Sequence, residues 1–275
     1  MSGKLPSLNL ADWSGTRDTI HQYARILGNI RGFYMPKSKH WWHITLTLNA
    51  RGLTTTPFPA NGQILEMELD LVSHQLSVFS NTGWHFGIPF KGNNALGMSL
   101  QIMQMLATQG IKLDEYPLRG FDDETLLSYD ANAADAFRRA ISWIDVVFRT
   151  FKGRLREETG PVQLFPHHLD IAMNWFSGRL VPGIDPADED NADEQMNFGF
   201  VTGDGSINDA YFYATAYPVP ENWGNQALIQ GAYWHTEGWI GAILPYVELV
   251  DSDDPQALLL EFLQQTQSNG SALMS

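Results

Sequence analysis

The spacing of apolar residues predicts that each half of the chain begins and ends with a helix and carries short strands between. Apolar side chains recur at every third or fourth position, as on one face of a helix, in residues 16–33, 94–108, 135–156 and 256–267. They alternate with polar side chains, as in strands, in residues 41–49, 64–72, 75–79, 84–90, 162–175, 195–201, 210–217 and 239–247. Gly110 is predicted to follow the second helix, and Asp254 and Pro255 to begin the last one.

The two halves also match each other in sequence. Residues 43–49, HITLTLN, align by residue class with residues 168–174, HLDIAMN. Residues 66–73, EMELDLVS, align in the same way with residues 195–202, QMNFGFVT. Matches that recur in the same order indicate an internal duplication, which would bring equivalent residues together near a pseudo-twofold axis.

We therefore predict an α+β protein of two pseudo-repeats, each a helix, an antiparallel β-meander and a helix. The first repeat would cover residues 1–115 and the second residues 130–270, and together they would form one compact pseudo-twofold unit. The alternative is two similar meanders that arose from ordinary α+β patterning without a duplication.

Composition and charge exclude several classes of function. The chain has 275 residues, 44% of them hydrophobic, which is enough for a well-buried core. A net charge of −14 repels nucleic-acid phosphates and anionic membranes, and the absence of cysteine excludes disulfides and thiolate chemistry. With no apolar segment of membrane-spanning length and no signal peptide, we predict a cytoplasmic protein that binds neither nucleic acid nor membrane. No cofactor is predicted, and the sequence does not indicate an oligomeric state.

Several short motifs resemble a family of uncharacterised bacterial proteins that is defined as a domain of unknown function. They are HWWH at residues 40–43, NARGLTT at 49–55, FSGR at 176–179, YFYA at 211–214 and YP at 217–218. The resemblance extends over nearly the whole chain. It implies one fold that spans both halves, but it implies no reaction, cofactor or site residue.

Polar residues share one face of the predicted strands in both halves. In the first half they are His43, Thr45, Thr47, Asn49, Glu66, Glu68 and Asp70, and in the second half His168, Asp170, Asn174, Gln195 and Asn197. Histidine can serve as a general acid or base near neutral pH, and Asp170 is close enough to raise the basicity of His168. We predict His43, His168 and Asp170 as catalytic groups in a cleft between the repeats. The alternative is a solvated sheet face.

Further residues are predicted to contact a ligand in this cleft. Asn49 and Asn174 are equivalent in the two repeats, while Arg51 and Arg179 each adjoin a glycine at a strand end and are suited to bind a carboxylate or phosphate. Ion pairs that fix the strand ends are the alternative for the arginines. Aromatic residues suited to stack on a ligand, or alternatively to pack in the core, are Trp42, Tyr211 and Tyr213.

The leading functional hypothesis is the binding of a small polar or anionic molecule in this cleft. An acid–base or metal-assisted hydrolase that uses His43, His168 and Asp170 is the second hypothesis. A structural or protein-interaction module is the third. The chain has no recognised catalytic signature, so the sequence leaves open whether it is an enzyme, and no metal ligands are assigned.

Overall fold

The computed structural model describes residues 4–113, 120–121, 124–126 and 128–274. Helices make up 36% of the structure and strands 26%, and the sheets are antiparallel, which confirms the α+β class. Contacts divide the chain into two compact units. The first unit contains Ala11–Arg138 and Leu164–Leu169, and the second unit contains Met1–Leu10, Arg139–Gln163 and Asp170–Ser275.

The first unit is built around a six-stranded sheet. Its elements in chain order are α1 (Leu10–Tyr34), β1 (Thr47–Leu48), β2 (Gly52–Thr54), β3 (Phe58–Ala60), β4 (Gln63–Asp70), β5 (Gln75–Ser80), β6 (His85–Pro89) and α2 (Ala95–Thr108). The strand order is β1-β2-β4-β5-β6, and β3 also pairs with β4. Gly110 has a φ of 74° beyond α2, which is the left-handed backbone that the sequence predicts for the residue after this helix.

The second sheet also has six strands, in the order β11-β12-β10-β9-β8-β7. The elements after α2 are α3 (Ala131–Lys152), β7 (Gln163–Phe165), β8 (Asp170–Leu180), β9 (Asp193–Val201), β10 (Tyr211–Tyr217), β11 (Tyr233–His235), β12 (Gly241–Pro245), α4 (Tyr246–Asp251) and α5 (Pro255–Leu273). Asp254 caps α5 by accepting a hydrogen bond from the Ala257 N–H at 3.0 Å, which confirms the predicted start of that helix. The internal duplication stays a prediction.

One face of the second sheet is apolar and packs against α3. The rings of Phe198 on β9 and Phe151 on α3 are 5.1 Å apart between centroids, and those of Phe212 on β10 and Phe148 are 6.4 Å apart. Side chains alternate across a strand, so the residues beside Phe198 and Phe212 point to the opposite face. That opposite face carries Asn197 and Tyr213.

The strand predicted over residues 41–49 is wrong for most of its length. The segment Lys39–Ile44 forms 3₁₀ turns, and only Thr47–Leu48 is a strand. The cause is Arg31 on α1, which donates hydrogen bonds of 2.8 Å to the carbonyl oxygens of Trp42 and Thr45. Because a side chain binds these carbonyl groups, they are not available to a neighbouring strand.

Glycine allows α1 to approach this segment closely. A Cβ atom at Gly32 would lie only 2.7 Å from Cγ2 of Ile44, so any other residue would push α1 and the 3₁₀ segment apart.

Among the described residues, no helix combines the length and the apolar character that crossing a membrane requires.

Candidate functional site

His43 and Trp42 lie in the 3₁₀ segment of the first unit. His43 is only 8% exposed, and its Nδ1 accepts a hydrogen bond of 3.4 Å from the Ser38 backbone N–H. The Lys39 ammonium group lies 5.8 Å from the centre of the Trp42 ring. The sequence predicted that His43 points from a strand face. The structure instead buries His43 among local contacts in the 3₁₀ segment.

His168 is exposed in the turn that precedes β8, and Asp170 is the first residue of that strand. The catalytic role predicted for His43, His168 and Asp170 stays a prediction. Within the part of the chain that the structure describes, no group of three or more histidine, aspartate or glutamate side chains could hold a metal ion.

Asn49 and Arg51 occupy the turn between β1 and β2, where they contact β4. The Asn49 side chain donates a hydrogen bond of 3.1 Å to Glu68, and Nε of Arg51 donates one of 2.9 Å to Oδ2 of Asp70. Arg51 thus forms an ion pair that fixes a strand end, which is the alternative that the sequence left open for it.

The two carboxylates on β4 are buried but have opposite pKa shifts. Burial raises the pKa of Glu68 above its ordinary value of 4.5, against the effect of its hydrogen bond with Asn49. Burial also acts to raise the pKa of Asp70, but hydrogen bonds from the Ser73 N–H, Arg51 and the Val72 N–H outweigh it. The pKa of Asp70 is therefore below its ordinary value of 3.8.

These shifts predict opposite effects of pH on stability. The ionised Asp70 stabilises the fold above pH 3.8, and this contribution is lost as pH falls through the lowered pKa. Glu68 has a raised pKa, so its effect is most favourable below pH 4.5 and declines as pH rises through the folded pKa. We expect Asp70→Asn to be less stable than wild type at neutral pH, with the difference shrinking in acid, and Glu68→Gln to be at least as stable as wild type at neutral pH.

Urea unfolding across the acid and neutral range measures both effects. The exposed Asp253→Asn variant is the control for the removal of one negative charge. Equal pH profiles for Asp70→Asn and Glu68→Gln would contradict this assignment of the two carboxylates.

An amide cluster forms where β8 and β9 pair in the second unit. The Asn174 side-chain nitrogen donates hydrogen bonds of 2.8 Å to Oε1 of Gln195 and 2.6 Å to Oδ1 of Asn197. Asn174 and Asn197 are direct partners in the strand register. Throughout the described residues, the amide N–H groups of Gln195 and Asn197 have no acceptor, and neither nitrogen is sealed from solvent.

Asp170 and Tyr213 are joined on the same face of this sheet. The Tyr213 hydroxyl donates a hydrogen bond of 2.7 Å to Oδ2 of Asp170. Burial and then the charge of Asp170 raise the pKa of Tyr213 well above 10.0, so the hydroxyl stays protonated and acts as a donor. The Tyr213 ring lies over Gly199 on β9, where a Cβ atom would lie 2.5 Å from its Cε1.

Tyr211 and Arg179 are each paired with an acid close to their own strand. The Tyr211 hydroxyl donates a hydrogen bond of 2.6 Å to Asp204, and burial raises the pKa of Tyr211. Arg179 contacts Glu194 at 2.6 Å, so its charge is compensated, as in the alternative that the sequence left open.

The structure therefore brings four of the predicted residues, Asp170, Asn174, Tyr211 and Tyr213, onto one sheet face with residues that the prediction did not assign to the site. We call one part of this surface the amide face, and its residues are Asp170, Asn174, Gln195, Asn197, Tyr213 and Thr215. The sequence placed Gln195 and Asn197 on this face but did not identify them as hydrogen-bond partners of Asn174. The predicted cleft that would unite these residues with His43, Trp42, Asn49 and Arg51 stays a prediction.

The second unit also has open cavities that none of the amide-face residues lines. One of about 620 Å³ lies along α5 beside Arg154, and another of about 410 Å³ lies beside Tyr246. Neither is lined by a residue that the sequence predicted as part of a site.

Comparison with known proteins identifies the chain at the level of a family. A family model, described as a family of unknown function (DUF5996), matches residues 5–275. This agrees with the resemblance that the sequence motifs indicated. No curated protein and no solved structure matches the chain.

Proposed function

Because the chain belongs to DUF5996, a family of unknown function, we propose a function from the geometry of the site: the amide face binds a small, uncharged polar molecule. The observation that carries this proposal is the double hydrogen bond from Asn174 to Gln195 and Asn197. It holds the side-chain oxygens of Gln195 and Asn197 on Asn174 and leaves their two N–H₂ groups available to a ligand. Fixed donors reduce the entropy lost on binding.

Burial strengthens the case for a ligand at these donors. Asn174 is 7% exposed and Gln195 is 6% exposed, so water reaches the cluster only in part. Both amide nitrogens still reach solvent, so a ligand oxygen that accepts from them would take the place of water at fixed donors.

The charges on the amide face favour an uncharged ligand over an anion. Its one ionisable acid, Asp170, accepts a hydrogen bond from Tyr213, and the nearby Arg179 is paired with Glu194. The chain as a whole carries a net charge of −14. A carboxylate or phosphate would therefore meet repulsion without an unpaired cation to offset it. Hydroxyl and carbonyl oxygens suit the two N–H₂ groups, because they accept hydrogen bonds without carrying a charge.

The proposed function is tested by measuring how defined small molecules bind to the wild-type protein and to Asn197→Ala. The probes are methyl pyranosides, sorbitol and acetamide, with acetate and phosphate as anionic comparators. We expect at least one uncharged probe to shift the side-chain amide signals of Gln195 and Asn197 in ¹H–¹⁵N NMR spectra. Because Asn197→Ala removes a donor, we expect it to weaken that binding by about tenfold, which corresponds to 1.4 kcal/mol.

The matched control is Asn208→Ala, since Asn208 is exposed in a loop of the same unit. It should leave the affinity unchanged. Binding of the anions alone, binding of no probe, or equal affinities for Asn197→Ala and Asn208→Ala would each contradict the proposed function.

A further inference from the structure

We propose that the ligand of the amide face is a pyranose sugar, with Trp239 as the platform on which its ring stacks. This inference rests on the proposed function and names the chemical class of its ligand. It depends on an aromatic surface that continues the amide face across the next strands of the sheet.

Trp239 is held in place beside the amide face. The Cζ3 and Cε3 atoms of its ring lie next to Gly241 on β12, where a Cβ atom would collide with them. The same Cβ atom would lie 3.1 Å from Cγ2 of Thr215, a member of the amide face. The His235 ring packs against Trp239 at 4.5 Å between centroids, and Nε2 of His235 lies 2.9 Å from the Glu237 carbonyl oxygen. An aromatic ring fixed in this way is preorganised for stacking.

The strand register sets the distance between the Trp239 platform and the amide donors. Thr215 is paired with Asn197, and Asn197 with Asn174, so one row of residues crosses β10, β9 and β8. Gly241 extends this row onto β12, because its Cβ position adjoins Thr215. Neighbouring strands are about 4.8 Å apart, so roughly 10 Å separates the backbone below Trp239 from that of Asn197. We infer that a single six-membered ring placed above Thr215 would reach both Trp239 and the N–H₂ group of Asn197.

A pyranose has chemical groups that suit both Trp239 and the amide donors. One side of its ring consists of C–H groups, which pack on the face of an indole. Its hydroxyl groups lie around the rim, and their oxygens can accept hydrogen bonds from the N–H₂ groups of Gln195 and Asn197. An acyclic polyol offers the same hydroxyl groups but no rigid apolar face for Trp239. A sugar phosphate would lack an unpaired cation on this face within the described residues.

Titration with sugars of defined shape tests the proposal. The probes are the methyl pyranosides of glucose, galactose and mannose, against sorbitol as the acyclic comparator and adenosine as a planar one. We expect one pyranoside to bind more tightly than sorbitol or adenosine and to shift the indole N–H signal of Trp239 together with the Asn197 amide signals. Trp239→Ala should weaken it by about tenfold and Trp239→Phe by less.

Trp41→Ala is the matched control, since Trp41 is 50% exposed and belongs to the first unit. Thr215→Val is a second test that preserves side-chain shape, and it should weaken pyranoside binding through loss of one hydroxyl group. Tighter binding of adenosine, equal binding of sorbitol, or no effect of Trp239→Ala would overturn the sugar proposal while leaving the proposed function intact. Binding of acetamide but of no sugar would likewise overturn only the sugar proposal, whereas binding of no uncharged probe, acetamide included, would contradict the proposed function itself.

Discussion

Replacing Phe212 by alanine is expected to lower the free energy of unfolding by about 3–5 kcal/mol. Phe212 is completely buried on β10, with its ring centroid 5.0 Å from that of Phe200 and 6.2 Å from that of Tyr246. Alanine would leave a cavity that the surrounding aromatic rings cannot fill without moving. Urea denaturation followed by tryptophan fluorescence measures the loss.

Phe79→Ala is the control for this prediction. Phe79 lies on β5 and is 42% exposed, so its removal creates no closed cavity. We expect it to change the free energy of unfolding by no more than about 1 kcal/mol. A loss of similar size in both variants would show that Phe212 does not belong to a close-packed core.

The alternation of polar and apolar residues predicted the part of the fold that carries the amide face. In residues 211–217 it placed Tyr211 and Tyr213 on one face, and the structure has a strand over the same residues. The start of α5 was also predictable from the sequence. The Asp254 side chain caps the helix by accepting a hydrogen bond from the Ala257 N–H, and Pro255 occupies the first turn. Such features depend on contacts between residues close in the chain, which sequence patterns record.

The segment at residues 41–49 was mispredicted because its conformation depends on a distant residue. Its alternating pattern is typical of a strand, but Arg31 on α1 binds the carbonyl groups of Trp42 and Thr45. The hydrogen bonds that replace the strand therefore come from a helix, and local spacing does not reveal them. The same limit explains why His43 is buried and does not lie on a strand face.

The candidate site was predictable in its residue types but not in its contacts. Asn174 lies 21 residues from Gln195 and 23 from Asn197, so their hydrogen bonds depend on the register between β8 and β9. Alternation indicates which residues share a face, but it does not state which of them are opposite each other. Gly199 offered one usable signal, since glycine within a strand often marks the close approach of another group.

Gly199→Ala is expected to destabilise the protein through the amide face. The added methyl group would collide with the Tyr213 ring, which lies over Gly199. Overpacking of this kind typically costs about 1–3 kcal/mol. Displacement of the ring would also break the hydrogen bond of 2.7 Å from Tyr213 to Asp170, which adds to the loss because Asp170 is buried. Thermal and urea unfolding measure the change.

Gly205→Ala provides the matched control, because a Cβ atom there meets nothing within 4 Å and the backbone is not in the left-handed region. It should leave stability nearly unchanged. The double variant Gly199→Ala/Tyr213→Ala tests the cause, since removal of the ring also removes the collision. If the ring is responsible, the double variant will lose less stability than the sum of the two single variants. Strict additivity would mean that Gly199 acts on stability independently of Tyr213, and that the amide face does not depend on this close contact.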